Sequence, residues 1–235
     1  MISFPAAAFA TNCYILAPGA GQECVIVDPG IGVVDTVAAV LAEHRLRPAA
    51  VLLTHGHLDH VYSVTPVCRG GGAAYLPAFV HTEDRYRLAD PIRLLDPAIV
   101  NAFEQQFGAA AQWTEPDDIR LVEDGDPIEV AGLRFVVRHA PGHTEGSVMF
   151  GLDGVPDGIN PDFGLDATMI SGDVLFAGSI GRTDLAGGSS AAMTRSLRDV
   201  VLPLPDSTLV LPGHGPATTM GRERQVNPHL QGLGA

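Results

Sequence analysis

The sequence predicts an α/β protein, with mixed sheets covered by helices, and three observations predict it. Apolar strands flank an amphipathic helix near the start of the chain, a weaker copy of that pattern returns near its end, and a run of short strands joined by glycine-containing turns lies between them. The 235 residues, 46% hydrophobic and 17% charged, suffice for a core of normal size, and layered α/β folds of about 200–250 residues form one unit. A single domain over 1–235 is therefore expected.

The elements follow in order. Asn12 to Ile15 reads as a strand, and Cys24 to Val27 as a second one closed by the turn Asp28-Pro29-Gly30. Val33, Val34, Val37, Val40 and Leu41 recur at helical spacing through Arg45, and Pro48 marks the break before a buried strand, Ala49 to Leu53. Ile128 to Val130, Leu133 to Val137 and Ser147 to Leu152 have the short turns of antiparallel sheet. Thr168 to Gly172 is a further strand run. Ala191 to Leu202 reads as a helix, Thr208 to Leu211 as a strand, and Met220 to Val226 as a short helix. Two segments fit no layer and are expected as inserts: 76–118, with a helix near Pro97 to Gly108 and the only tryptophan, Trp113, and 153–166, a Gly, Pro and Asp-rich hairpin loop.

Composition excludes several classes. With 14 basic and 27 acidic residues the formal charge is −13, and such a surface repels phosphate backbones unless a basic patch is concentrated somewhere, which the sequence does not show. No nucleic-acid partner is expected. No stretch approaches the roughly 18–20 apolar residues of a spanning helix, and the start of the chain has no basic segment of signal-peptide type, so no membrane partner and a cytoplasmic location are expected. Cys13, Cys24 and Cys68 are odd in number and lack CxxC spacing, which speaks against a disulfide framework or a zinc ribbon.

The strongest chemical signal follows the strand Ala49 to Leu53. In Thr54-His55-Gly56-His57-Leu58-Asp59-His60, side chains at i and i+2 of an extended segment point the same way, so His55 and His57 can address one ion, while Asp59 and His60 begin a new element and can address a second. Imidazole and carboxylate together suit zinc, iron or manganese. Three later residues stand where strands empty into glycine-rich loops: His143 in Pro141-Gly142-His143-Thr144, Asp173 after Gly172, and His214 in Pro212-Gly213-His214-Gly215. Loops at one end of a sheet are where such groups converge.

These motifs, together with Val27-Asp28-Pro29-Gly30, resemble in order and over nearly the whole chain the metallo-β-lactamase superfamily, and within it single-domain hydrolases similar to glyoxalase II. The resemblance implies an αββα sandwich with a dinuclear site at one edge. It implies that His55, His57 and His143 hold the first metal, that Asp59, His60 and His214 hold the second, and that Asp173 bridges both, with Asp28 supporting the site without binding metal. Two zinc ions per chain are implied, iron or manganese also suiting the ligands. Asp59 and Asp173, holding metal and orienting the attacking hydroxide, are the expected catalytic carboxylates.

The resemblance also sorts the branches. β-Lactamases commonly carry serine or cysteine where Asp173 stands, flavodiiron proteins carry glutamate where His57 stands, and the nucleases that share HxHxDH suit the charge poorly. The segment Val174 to Leu185 resembles glyoxalase II-like thioesterases and persulfide dioxygenases, in which a basic residue at the Arg182 position binds the carboxylate of the thiol cofactor; a guanidinium can do so bidentately. The implied function is hydrolysis of a small-molecule thioester by a metal-bridging hydroxide. An iron-dependent persulfide dioxygenase and a metallo-phosphodiesterase or nuclease are the alternatives. The helical C-terminal region through which two-domain glyoxalase II builds much of its glutathione site has no counterpart in the short stretch after Pro216.

Overall fold

A strand that is apolar at successive positions needs cover on both faces, and β3 (Glu23–Val27) is the clearest case. Its Cys24 and Ile26 pack into one apolar layer, its Val25 and Val27 into another, as the two-residue period of a pleated strand dictates. The computed structural model describes residues 1–70, 75–92, 100, 105 and 113–233. It places β3 in a six-stranded sheet ordered β1 (Ile2–Pro5), β2 (Asn12–Leu16), β3, β4 (Arg47–Leu52), β5 (Ala78–His81) and β6 (Ile119–Val122). The first three strands pair antiparallel and the rest parallel. The crossover from β3 to β4 is α1 (Val34–His44), which stops at Arg45 in the left-handed conformation, φ 55°.

After α2 (Leu58–Val61) and α3 (Val64–Arg69), a second six-stranded sheet is built from β7 (Pro127–Val130), β8 (Leu133–His139), β9 (Val148–Asp153), β10 (Ala167–Gly172), β13 (Thr208–Pro212) and β14 (Thr218–Thr219), in the order β14-β13-β10-β9-β8-β7. Only β10 and β13 are parallel in it. Between those two strands the chain forms the hairpin β11 (Leu175–Phe176) and β12 (Ser179–Ile180), then α4 (Ser190–Ser196), which runs on through a π-helical turn, Leu197–Val201; α5 (Met220–Val226) follows β14.

Three apolar layers separate four layers of structure. The first sheet covers α1 and α3 through residues such as Ile26, Val37, Val51 and Val64. Leu52, Val25, Phe135 and Ile170 join the two sheets, where Phe135 and Phe150 meet edge to face at 6.4 Å, a geometry worth about 0.5–1.5 kcal/mol beyond burial. Met149, Met169 and Val210 receive Met193, Leu197 and Met220 from the C-terminal helices. The fold is the αββα sandwich of the metallo-β-lactamase type, as expected.

One expected boundary is corrected. The segment 76–118 was expected as an insert, yet Ala78–His81 is an interior strand of the first sheet, paired with both β4 and β6, and a 3-10 helix, Thr82–Leu88, follows it. Four residues ending in histidine carry too little periodicity to read as a strand; backbone pairing on both sides decides it. The helix expected over Pro97 to Gly108 falls almost wholly on residues outside those described. The loop expected over 153–166 does connect the antiparallel strands β9 and β10.

Candidate metal centre

Each potential ligand leaves the end of a strand or opens a helix at one edge of the sandwich. Beyond β4 the chain bends at Thr54 and is extended at His57 (φ −72°, ψ 145°) before α2 begins, so His55 and His57 project from the loop while Asp59 and His60 project from the first turn of the helix. Gly56 between them is tightly enclosed: a Cβ there would come within 2.6 Å of the Arg87 side chain. His143 follows β8, Asp173 follows β10 and His214 follows β13. Because β10 and β13 run parallel, the last two ligands emerge side by side, fixed by the Gly213 N–H donating to the Gly172 carbonyl at 2.8 Å.

The seven side chains converge in two sets. His57 Nδ1 lies 3.1 Å from His55 Nε2 and 2.8 Å from His143 Nε2. In the other set His60 Nε2 and His214 Nε2 are 3.3 Å apart, and Asp59 Oδ2 lies 3.6 and 3.3 Å from them. Asp173 stands between the sets, with Oδ2 at 3.4 Å from His143 Nε2 and 3.5 Å from His214 Nε2, and Oδ1 at 3.4 Å from His60 Nε2. Four ligands placed tetrahedrally at about 2.0–2.1 Å from a zinc ion are about 3.3–3.4 Å from one another, close to these spacings. Asp173 Oδ1 is moreover buried with no hydrogen-bond partner among the described residues, a cost that a cation would relieve. The donor set therefore fits transition-metal ions.

Outer hydrogen bonds decide which nitrogen of each ring faces the centre. Asp28, 1% exposed and held at φ 48°, accepts from the Thr54 N–H at 2.8 Å and the Thr54 hydroxyl at 2.6 Å. His60 Nδ1 donates to the same carboxylate at 2.9 Å, and His55 Nδ1 lies 3.1 Å from the Thr54 hydroxyl. One carboxylate thus sets the tautomers of two imidazoles and leaves both Nε2 lone pairs inward. His143 Nδ1 donates to the Arg182 carbonyl at 2.8 Å, and the Thr11 hydroxyl donates to Asp59 Oδ2 at 3.0 Å.

The charges follow the same division. Burial, followed by His60, His143 and His57, holds the His55 imidazole well below its usual range; burial, His143 and Arg87 push His57 down to about 3; burial also lowers His143. These three are neutral, the ligand form. Burial opposes charge on His60 and His214, but Asp173, Asp59 and Asp28 raise the first, and Asp59 and Asp173 raise the second. Burial likewise opposes ionisation of Asp59 and Asp173, and the facing imidazoles of His60 and His214 outweigh it.

Several supporting residues escaped the sequence reading, Asp84 above all. Fully buried, it accepts from the Gly56 N–H (2.7 Å), the Gly146 N–H (2.8 Å) and the Thr144 hydroxyl (2.8 Å), and it pairs with the buried Arg87, Nε to Oδ1 3.2 Å. It ties the turn carrying His55 and His57 to the loop carrying His143. Arg87 also donates to Glu145 at 2.6 Å and to the Ala186 carbonyl at 2.9 Å. No local pattern marks these residues, because apart from the Asp84–Arg87 pair their partners lie far away in sequence. Arg182 does line the cavity over the ligands, but its guanidinium is engaged bidentately by Asp184 at 2.7 and 2.8 Å. A further titratable group, His81, Glu83 and His139, lies outside the seven. Its two imidazoles stack at 3.9 Å and 15°, so their in-plane lone pairs run parallel instead of converging.

An αββα sandwich with two histidine and aspartate sets at its edge defines a class, the metallo-hydrolases of this fold. The family model described as Metallo-beta-lactamase superfamily matches residues 6–214, and the chain belongs to that superfamily. A protein of Mycobacterium tuberculosis with no assigned role is 47% identical over 98% of this chain and 97% of its own length. The probable metallo-hydrolase YqgX of Bacillus subtilis is 33% identical (97% and 96% covered), and the hydroxyacylglutathione hydrolase GloC of Haemophilus influenzae 30% (96% and 95%). Among solved structures, the BLEG-1 B3 metallo-beta-lactamase is similar with a TM-score of 0.76, 34% identity and 98% and 99% coverage. TTHA1623 in a di-iron-bound form gives 0.74, 32%, 97% and 99%, and ETHE1 from Myxococcus xanthus 0.71, 25%, 99% and 85%. Among the described residues no helix is long and apolar enough to cross a membrane.

Proposed function

We propose that this chain is a dinuclear metallo-hydrolase that cleaves thioesters of small molecules. The observation that carries the reading is the pair of donor sets joined by the single carboxylate of Asp173, together with the 30% identity to a hydroxyacylglutathione hydrolase over nearly both lengths. His55, His57 and His143 would hold one ion, Asp59, His60 and His214 the other, and Asp173 both. Two divalent ions there would polarise a carbonyl oxygen and acidify a shared water, which is the chemistry that thioester hydrolysis needs near neutral pH.

The chain's own residues prepare that chemistry. Asp28, Thr54 and the Arg182 carbonyl fix the imidazole tautomers, and Thr11 orients Asp59, so the site is set before substrate arrives. Asp59 and Asp173 are the carboxylates that would orient the attacking oxygen. A thiolate is a good leaving group, so no dedicated general acid is required of the protein. Protein loaded with two equivalents of zinc is expected to hydrolyse S-lactoylglutathione or another acyl-thiol, and His57→Ala to lose both bound metal and turnover. An intact two-metal protein inert toward a broad thioester panel would refute the reading. The similarity to ETHE1 and to a di-iron protein favours one second reading, an iron-dependent persulfide dioxygenase; a single bound iron with oxygen uptake on a persulfide would establish it.

A further inference from the structure

The cavity above the ligands, about 520 Å³, has a polar floor and apolar walls. His57, Asp59, His143, Asp173 and His214 form the floor. Phe9, Leu58, Phe176, Ile180, Leu185 and Ala186 supply most of the remaining lining, with Ser179 of the β11–β12 hairpin among them. Phe9 and Leu185 keep 60% and 40% of their surface exposed. A large apolar side chain left in water beside a functional cavity is surface waiting for an apolar ligand group.

The cations near this cavity offer little to an anionic ligand. Among the described residues, the two arginines that line it are both already paired. Arg87 is buried and paired with Asp84 and Glu145, so releasing it would leave the buried Asp84 carboxylate uncompensated. Arg182 lies in water with Asp184, their side chains 61% and 68% exposed, which marks the charged, solvated mouth of the cavity. A substrate matched to this arrangement keeps its polar carrier at the mouth and its apolar part against the walls.

We propose that the preferred substrates are thioesters of apolar acyl groups, aliphatic or aryl, with the acyl chain lying against Phe9, Leu58, Phe176, Ile180 and Leu185. This rests on the thioester reading and narrows it: the hydroxyl of a group such as lactoyl gains nothing from the apolar side chains, whereas each added methylene laid against them gains burial.

The test holds the carrier constant. N-acetylcysteamine thioesters of lactate, propanoate, butanoate and hexanoate are compared on the zinc-loaded protein, beside binding of the matching non-hydrolysable S-propyl and S-hexyl thioethers by calorimetry. Each buried methylene should raise kcat/KM about fourfold, from its transfer free energy of about 0.8 kcal/mol, and the S-hexyl thioether should bind at least tenfold tighter than the S-propyl one. Leu185→Ser should shrink the ratio of hexanoyl to propanoyl turnover. A flat or falling series with thioesters still hydrolysed, or equal binding of the two thioethers, overturns the acyl preference and leaves the hydrolase reading standing. Absence of turnover on every thioester by a protein carrying two metal ions overturns both.

Discussion

Asp28 does the most at the smallest scale. Its position at φ 48° is unusual for a residue other than glycine, and the backbone strain is held by a web of bonds to Thr54 and His60. Asp28→Asn keeps the volume but presents an amide where His60 Nδ1–H and the Thr54 hydroxyl now donate. The expected result is a 10–100-fold loss of metal affinity, measured by chelator competition, with secondary structure retained by circular dichroism. Undiminished affinity would mean that the two tautomers are set elsewhere. Gly181 acts at the same scale. A Cβ there would run into the Asp173 carbonyl and approach His143 Nδ1 at 3.2 Å, so the stretch the sequence marked around Arg182 touches the site through backbone as much as through the guanidinium.

At the scale of elements, Asp84 and Arg87 on the 3-10 helix after β5 brace the two loops that carry His55, His57 and His143. Removing one member of a buried, hydrogen-bonded ion pair costs about 3–5 kcal/mol. Asp84→Asn should therefore lower stability by that order in urea titrations and reduce turnover as well, since Gly56 and Gly146 donate to different oxygens and one of them would face an amide NH2 instead of an acceptor; a change within about 0.5 kcal/mol would refute the bracing role. This element also shows where the sequence was legible. α1, β3, β4, β8, β10 and β13 stood out because long apolar runs or helical spacing carry them, and the seven convergent residues because histidine and aspartate cluster in turns after strands. β5 and the 3-10 helix did not stand out. A four-residue strand and a single irregular turn owe their conformation to neighbouring strands and to the buried charge of Asp84, neither of which has a local pattern. Leu53, expected as the last strand residue, lies just past β4, its N–H donating to the Phe79 carbonyl at 2.9 Å.

At the scale of the whole molecule the centre joins both sheets, His55 to His60 coming with the first and His143, Asp173 and His214 with the second. Any ion bound there favours the folded state alone, and the stabilisation grows with the ratio of free metal to Kd. Chelation is expected to lower Tm, and restoring zinc to raise it as concentration rises, readable by scanning calorimetry. In the metal-free protein the sign with pH follows from the lowered imidazoles. His57, moved from an ordinary 6.5 to about 3, stays neutral while the unfolded chain takes up a proton, so the unfolded state binds more protons between those values. Stability should fall as pH drops from about 6.5 toward 3, with His55 and His143 acting in the same direction. His60 and His214, raised instead, contribute fully below 6.5 and lose that contribution only at higher pH. A metal-free Tm that rises between pH 6.5 and 5 would contradict this balance.

The separation of the ligands along the chain has a consequence for the chain as it is made. His214 comes 154 positions after His60, so at the usual synthesis rate of about 5–20 residues per second the nascent protein carries its first four metal-seeking side chains for roughly 8–30 s before their last partner exists. For the first part of that interval only a short, open cluster can meet an ion; His143 and Asp173 join it later, and the second sheet is complete only with β14, after His214. Selection of the correct metal is thus a task for the finished polypeptide rather than for the ribosome-bound one.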